Sequence, residues 1–150
     1  MAEPKYVEFS MTKLIKAPLK EAYDWLTDYR DDDPQAVTGD PWGLHVLEKT
    51  PKRVVFETEQ HDKGKIYKQK TVVNLYPPNR WHAESKGNRW DFMGDYELKT
   101  KGKDTRLIVK LREAHYFQET PSVERQTAWL NKHWEGILRS FYADLEKKRK

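Results

Sequence analysis

Residues 89 to 117 read RWDFMGDYELKTKGKDTRLIVKLREAHYF, two runs of alternating polarity joined at KGKD. In 89 to 101, Trp90, Phe92, Gly94, Tyr96 and Leu98 fall on one side, and Arg89, Asp91, Met93, Asp95, Glu97 and Lys99 on the other. Successive strand side chains point to opposite faces, so this pattern predicts a strand buried on one face and wet on the other, as in an antiparallel sheet. The run from 104 to 117 returns as its partner, with Leu107, Val109 and Leu111 on the apolar face. That face then continues into Glu113, His115 and Phe117. A buried carboxylate without partners is costly. Glu113 and His115 therefore either line a ligand cavity with polar partners, or a β-bulge after Leu111 turns them outward and brings Arg112 and Ala114 in.

Upstream, the same alternation extends back to Gly43. Strands are expected at 44 to 50, 53 to 61, 64 to 76 and 80 to 86, with turns at TPKR, HDKG, PPNR and SKGN. Connections this short make neighbouring strands antiparallel. Parity places Val54, Phe56, Thr58 and Gln60 inward on one strand, and Tyr67, Gln69, Thr71, Val73 and Leu75 on the next. Trp81, Ala83 and Ser85 follow on the third.

At the N-terminal side, residues 6 to 16 read as a first strand that stops at Ala17-Pro18. A helix follows, with Leu19, Ala22, Tyr23 and Leu26 at helical spacing and Pro18 suited to its first position. Pro34 ends or redirects it, and the polar stretch through TGDPWG is expected to form a second small helix or a loop. At the other end, Thr120 is expected to cap a helix beginning at Pro121. Leu130, Trp134, Ile137, Leu138, Phe141 and Leu145 lie on one face of it. A helix from 121 to 148 is roughly 40 Å long, matching the longest strands, so it is expected to lie along the sheet and cover its apolar face.

The chain of 150 residues is sized for a single domain spanning 1–150. Charged residues make up 35% and aromatics 13%, with six tryptophans, so a few large side chains supply the core volume. Cysteine is absent, which removes disulfides, thiolate nucleophiles and thiolate metal sites. The opening MAEPKYVEFS has no charged segment leading into an apolar one, and no apolar run approaches bilayer length, so the expectation is a soluble cytoplasmic protein. Residues 1 to 62 carry 8 Lys/Arg and 13 Asp/Glu, while the remainder carries 20 and 11. Such a basic half suits an anionic partner or simply solvates the outer face of a sheet.

The order of elements resembles the helix-grip fold of the START/Bet v 1-like superfamily, also called SRPBCC. KLIKAPLKEAYDWLTDY is similar to the opening signature of polyketide cyclase/dehydrase-like members, through Ile15, Ala17, Pro18, Tyr23, Trp25, Leu26 and Asp28. The resemblance implies an α+β fold in which a seven-stranded curved antiparallel sheet wraps a long C-terminal helix, with two short helices between strands 1 and 2. It also implies a cavity that holds apolar small molecules, either for carriage or for cyclisation and dehydration. It carries no shared catalytic set onto this chain.

The candidate lining residues are Phe56, Tyr67, Gln69, Trp81, Trp90, Phe92, Tyr96, Leu111, Glu113, His115, Trp134, Leu138 and Phe141, with Gln60 close by. Apolar walls with a few convergent polar groups are the usual make-up of a ligand pocket. In an enzymatic version Glu113 or His115 is the general acid–base and Tyr96 stabilises a developing enolate. Trp42 is read as lying in a loop near the cavity mouth. Asp28, Asp31, Asp32 and Asp33 form an acidic cluster without calcium-loop spacing, and His45, His61, His82, His115 and His133 show no zinc-ligand spacing. Nucleotide and hydrolase motifs are absent, so neither metal nor cofactor is expected. The expected partner is a hydrophobic small molecule. The alternatives are a cyclase or dehydratase, and an adaptor whose lysines 63, 65, 68, 70, 99, 101, 103 and 110, with the KKRK tail, meet RNA, ribosomes or anionic lipid. Nucleic acid is disfavoured because the aromatics alternate inward rather than forming an exposed stacking stripe; peripheral membrane contact and oligomeric state stay open.

Overall fold

A computed structural model describes residues 6–28, 42–88, 90–115 and 121–149. Strand β1 (Tyr6–Ile15) leads into helix α1 (Leu19–Leu26). Six strands follow as a meander: β2 (Trp42–Lys49), β3 (Arg53–Asp62), β4 (Lys65–Tyr76), β5 (Arg80–Gly87), β6 (Trp90–Lys101) and β7 (Asp104–His115). Helix α2 (Val123–Arg149) completes the fold. All pairings are antiparallel, and the sheet order is β1-β7-β6-β5-β4-β3-β2.

Turn chemistry explains the tight connections. Lys63 (φ 50°) and Gly64 (φ 78°) both take the left-handed region between β3 and β4, as a two-residue hairpin turn matched to strand twist requires. Gly102 (φ 62°) supplies the same freedom at the first turn position between β6 and β7.

Inward alternation holds along β1, where Val7, Phe9, Met11 and Ile15 are buried while Glu8, Ser10 and Thr12 are exposed. α2 lays Leu130, Trp134, Leu138 and Phe141 on this face, and its backbone comes nearest to β1 among the strands. α1 closes one end: Ala22, Tyr23 and Leu26 join the core, Trp25 Nε1 donates to Asp144 Oδ2 of α2 at 2.8 Å, and the Trp25 ring meets Phe141 edge-on.

Several local expectations shift. Pro18 holds the N-cap of α1, and Leu19 is its first residue. α2 starts at Val123, later than the Thr120-Pro121 reading, because Ser122 does the capping: its Oγ accepts from the Arg125 N–H at 3.1 Å. Trp42 opens strand β2, paired with Gln60, rather than lying in a loop. The second short helix, Asp31 to Asp33, and Phe117 fall outside the described residues. Among the described residues, no helix is long and apolar enough to cross a membrane.

Candidate functional site

Register arranges the inner face into rows crossing the sheet. One row joins Phe56, Thr71, Ser85, Phe92, Glu113 and Val7, and toward α1 the next joins Val54, Val73, Ala83, Gly94, Leu111 and Phe9. Beyond that come Leu75, Trp81, Tyr96, Val109 and Met11. In the opposite direction the composition turns polar, through Thr58 beside Gln69, Trp90 beside His115, and Gln60 beside Tyr67. The inner face is thus apolar toward α1 and polar at its far end.

Pairing with both neighbours runs unbroken through Glu113, so no bulge intervenes and the carboxylate faces in, only 6% exposed. Its Oε2 accepts from Gln126 Nε2 at 2.6 Å and lies 2.9 Å from His115 Nε2. Gln126 is buried and belongs to the start of α2, where the Ser122 cap fixes its backbone: its N–H donates to the Ser122 carbonyl. These two contacts on one oxygen hold the carboxylate in place. The His115 ring also lies 6.2 Å from Trp90, whose carbonyl accepts from Gln69 Nε2 at 2.8 Å. Thr71 and Ser85 pair with each other through their hydroxyls at 2.8 Å.

Tyr96 is stacked on Trp81 at 5.0 Å and lies 6.2 Å from Trp134. Its ring folds along β6 over Gly94, where a Cβ would sit 2.9 Å from the hydroxyl oxygen and 2.7 Å from Leu111 Cδ2. Glycine is therefore what allows the ring to lie there. Burial first, then the negative charges of Glu113 and Asp95, push the phenol's pKa far up, so it stays a hydrogen-bond donor at neutral pH.

β6 has a strand on each side, yet Trp90, Phe92 and Tyr96 on its inner face are only half-buried, whereas Leu98 on the same face is fully enclosed. Among the described residues, every side-chain nitrogen or oxygen sealed from solvent has a hydrogen-bond partner. The Tyr96 hydroxyl and Glu113 Oε1 make no hydrogen bond there, so both border open space. The Tyr96 donor and the Glu113 carboxyl thus lie on adjacent strands, with Glu113 directly opposite half-buried Phe92.

The remaining sequence candidates divide by position. Phe56 and Leu111 are buried and Tyr67 half-buried on the sheet's inner face, while Leu138 is buried on the facing helix. Phe141 is fully enclosed against Trp25 and Tyr142, at the α1 end. Gln126 escaped the sequence reading, and Gly94 was read only as an inner-face position. Gln126 did leave a signal: it stands four residues before Leu130 on the apolar stripe of α2, a polar residue on a core face just as Glu113 is. No group of three or more His, Asp or Glu among the described residues could hold a metal ion.

This architecture is a helix-grip fold, a seven-stranded antiparallel sheet with a long C-terminal helix. TTHA0849 from Thermus thermophilus superposes with a TM-score of 0.73 at 16% identity, covering 92% of this chain and 99% of that one. The Zhui aromatase/cyclase from Streptomyces sp. R1128 gives 0.70 at 12% identity, covering 97% of each chain. A START superfamily protein from Mycobacterium smegmatis gives 0.66 at 16%, covering 93% of this chain and 97% of that one. No family model and no curated protein matches the sequence.

Proposed function

We propose that this protein binds a hydrophobic small molecule between the inner face of the sheet and α2, with the ligand's polar end toward Glu113 and Tyr96. The observation that carries the reading is the half-buried inner face of β6, an interior strand, flanked by one open acceptor and one open donor. Apolar walls supply affinity through area removed from water, and the two polar groups set orientation. Trp90, Phe92, Trp81 and Trp134 form the walls in this reading; Gln69 and His115 border the polar end.

Native mass spectrometry of protein purified from its host, followed by denaturing extraction, tests it. A retained stoichiometric apolar molecule is the expected result. A protein that arrives without ligand, and that binds no apolar probe up to millimolar concentration, would overturn it.

A second reading, a cyclase or dehydratase, is favoured by the Tyr96 hydroxyl and Glu113 Oε1 each bordering open space on adjacent strands. There Glu113 or His115 moves a proton next to a carbonyl while Tyr96 donates to the oxygen that gains charge. A pH–rate profile that keeps its titrating limb in both Glu113→Gln and His115→Ala would remove that reading. The adaptor reading gains little, because outer-face lysines alternate with acids: Lys68 lies 3.9 Å from Glu59 and Lys99 3.7 Å from Glu97.

A further inference from the structure

We infer that the site selects apolar molecules whose polar end carries a hydrogen-bond donor, an alcohol or phenol, and turns away carboxylates such as fatty acids. The inference rests on the binding reading above and adds the chemistry of the head group. Both protein donors that reach Glu113, Gln126 and His115, meet the same oxygen, Oε2. Oε1 is left as an acceptor bordering open space, and an incoming O–H satisfies it at no cost in charge.

A carboxylate arriving there would instead face a buried carboxylate, and two like charges in one poorly hydrated site repel strongly. Among the described residues of the inner face, no Lys or Arg stands beside Glu113 to offset that repulsion. His115 is engaged with Glu113 itself. Among the described residues of the inner face, the lysines are Lys13, opposite Leu107 three rows toward α1, where it faces Glu135 at 3.9 Å, and Lys49, opposite Val54 on β3, where it pairs with Asp28. The Tyr96 hydroxyl adds a donor, which serves the lone pairs of the same ligand oxygen. A hydroxyl that accepts from Tyr96 and donates to Glu113 satisfies both; an ether or an unsubstituted hydrocarbon satisfies one or neither. Selection then comes from leaving a site group unpaired with the wrong ligand as much as from attraction to the right one.

Titration calorimetry at pH 8 with matched probes tests this: 2-naphthol, 2-methoxynaphthalene and 2-naphthoate, with 1-dodecanol and dodecanoate as a second pair of different shape. The expected order is hydroxyl over ether over carboxylate, with the hydroxyl roughly ten- to a hundred-fold tighter than the carboxylate, the range for a hydrogen bond to a charged group. In Glu113→Gln the gap narrows to within about threefold, chiefly through recovered carboxylate binding, because the amide keeps an acceptor and adds a donor. Tyr96→Phe weakens hydroxyl and ether alike and provides a second variant should Glu113→Gln fold poorly. Carboxylates binding as tightly as their alcohols to the unaltered protein would overturn the inference while leaving the binding reading intact. Failure of all five probes would overturn the binding reading itself.

Discussion

At the α1 end of the sheet, polar groups lock elements together. Tyr23 donates to the Arg80 carbonyl at 3.1 Å, Thr105 Oγ1 to the Ala17 carbonyl at 2.8 Å, and the Lys16 N–H to the Tyr142 hydroxyl at 3.0 Å. Around them Ile15, Leu98, Leu107 and Phe141 are fully buried. Farther from α1, Glu113 and Tyr96 each keep hydrogen-bonding capacity in reserve beside half-covered aromatics. The same sheet and the same helix span both ends. The difference teaches that stability and recognition are divided along the strands: one end is closed by paired polar groups and dense packing, the other is left with capacity a ligand can use.

The sharpest way to break that division is to truncate the dry end. Phe141→Ala removes a fully buried ring and is expected to cost about 3–5 kcal/mol in denaturant-induced unfolding. Glu113→Gln keeps the shape of the polar end and is expected to cost no more than about 1.5 kcal/mol while lowering the preference for hydroxyl probes. Equal stability losses in the two would abolish the distinction.

Gly94→Ala probes the boundary between the regions. Its Cβ would meet Leu111 Cδ2 at 2.7 Å and the Tyr96 ring at 2.8 Å, so the ring must shift. The expected cost is about 1–3 kcal/mol, with 2-naphthol affinity falling in the folded variant. Unchanged affinity would separate Tyr96 from the site. Thr105→Val, at the closed end, is expected to cost about 1–3 kcal/mol by orphaning the buried Ala17 carbonyl, with probe affinity untouched.

The smallest effects come from two histidines with opposite linkage. Burial alone would lower the pKa of His82 on the outer face, but hydrogen bonds and charge from Asp95 and Glu84 outweigh it and raise the value. Its contribution is therefore full below about pH 6.5 and is lost as pH rises through the folded value. Burial lowers the pKa of His133 on α2, which stacks on Trp129 at 4.9 Å, so its neutral form is favoured and stability falls as pH drops below about 6.5. Solvent screening at His82 holds its share to a few tenths of a kcal/mol. Unfolding of His82→Asn and His133→Asn followed from pH 5 to 8 should flatten opposite limbs of the stability profile; loss of the same limb in both would contradict this assignment.

The six-strand meander, the long helix and the inner-face residues were legible because side-chain alternation has a period of two and a helical stripe a period of 3.6, both local properties of the chain. Trp90, Phe92, Tyr96 and Leu98 declared their face without any knowledge of the fold. The direction of Glu113 was not legible, since a bulge is an event of strand pairing, and only the continuous register with β1 and β6 decided it. The choice of Ser122 over Thr120 as the cap of α2 likewise needed backbone geometry that both residue types could satisfy. The union of Glu113 with Gln126, and the ring of Tyr96 lying over Gly94, belong to tertiary structure alone. Each depends on how far α2 stands from the sheet and how neighbouring strands are offset, distances that arise when separate elements pack and that no local pattern encodes.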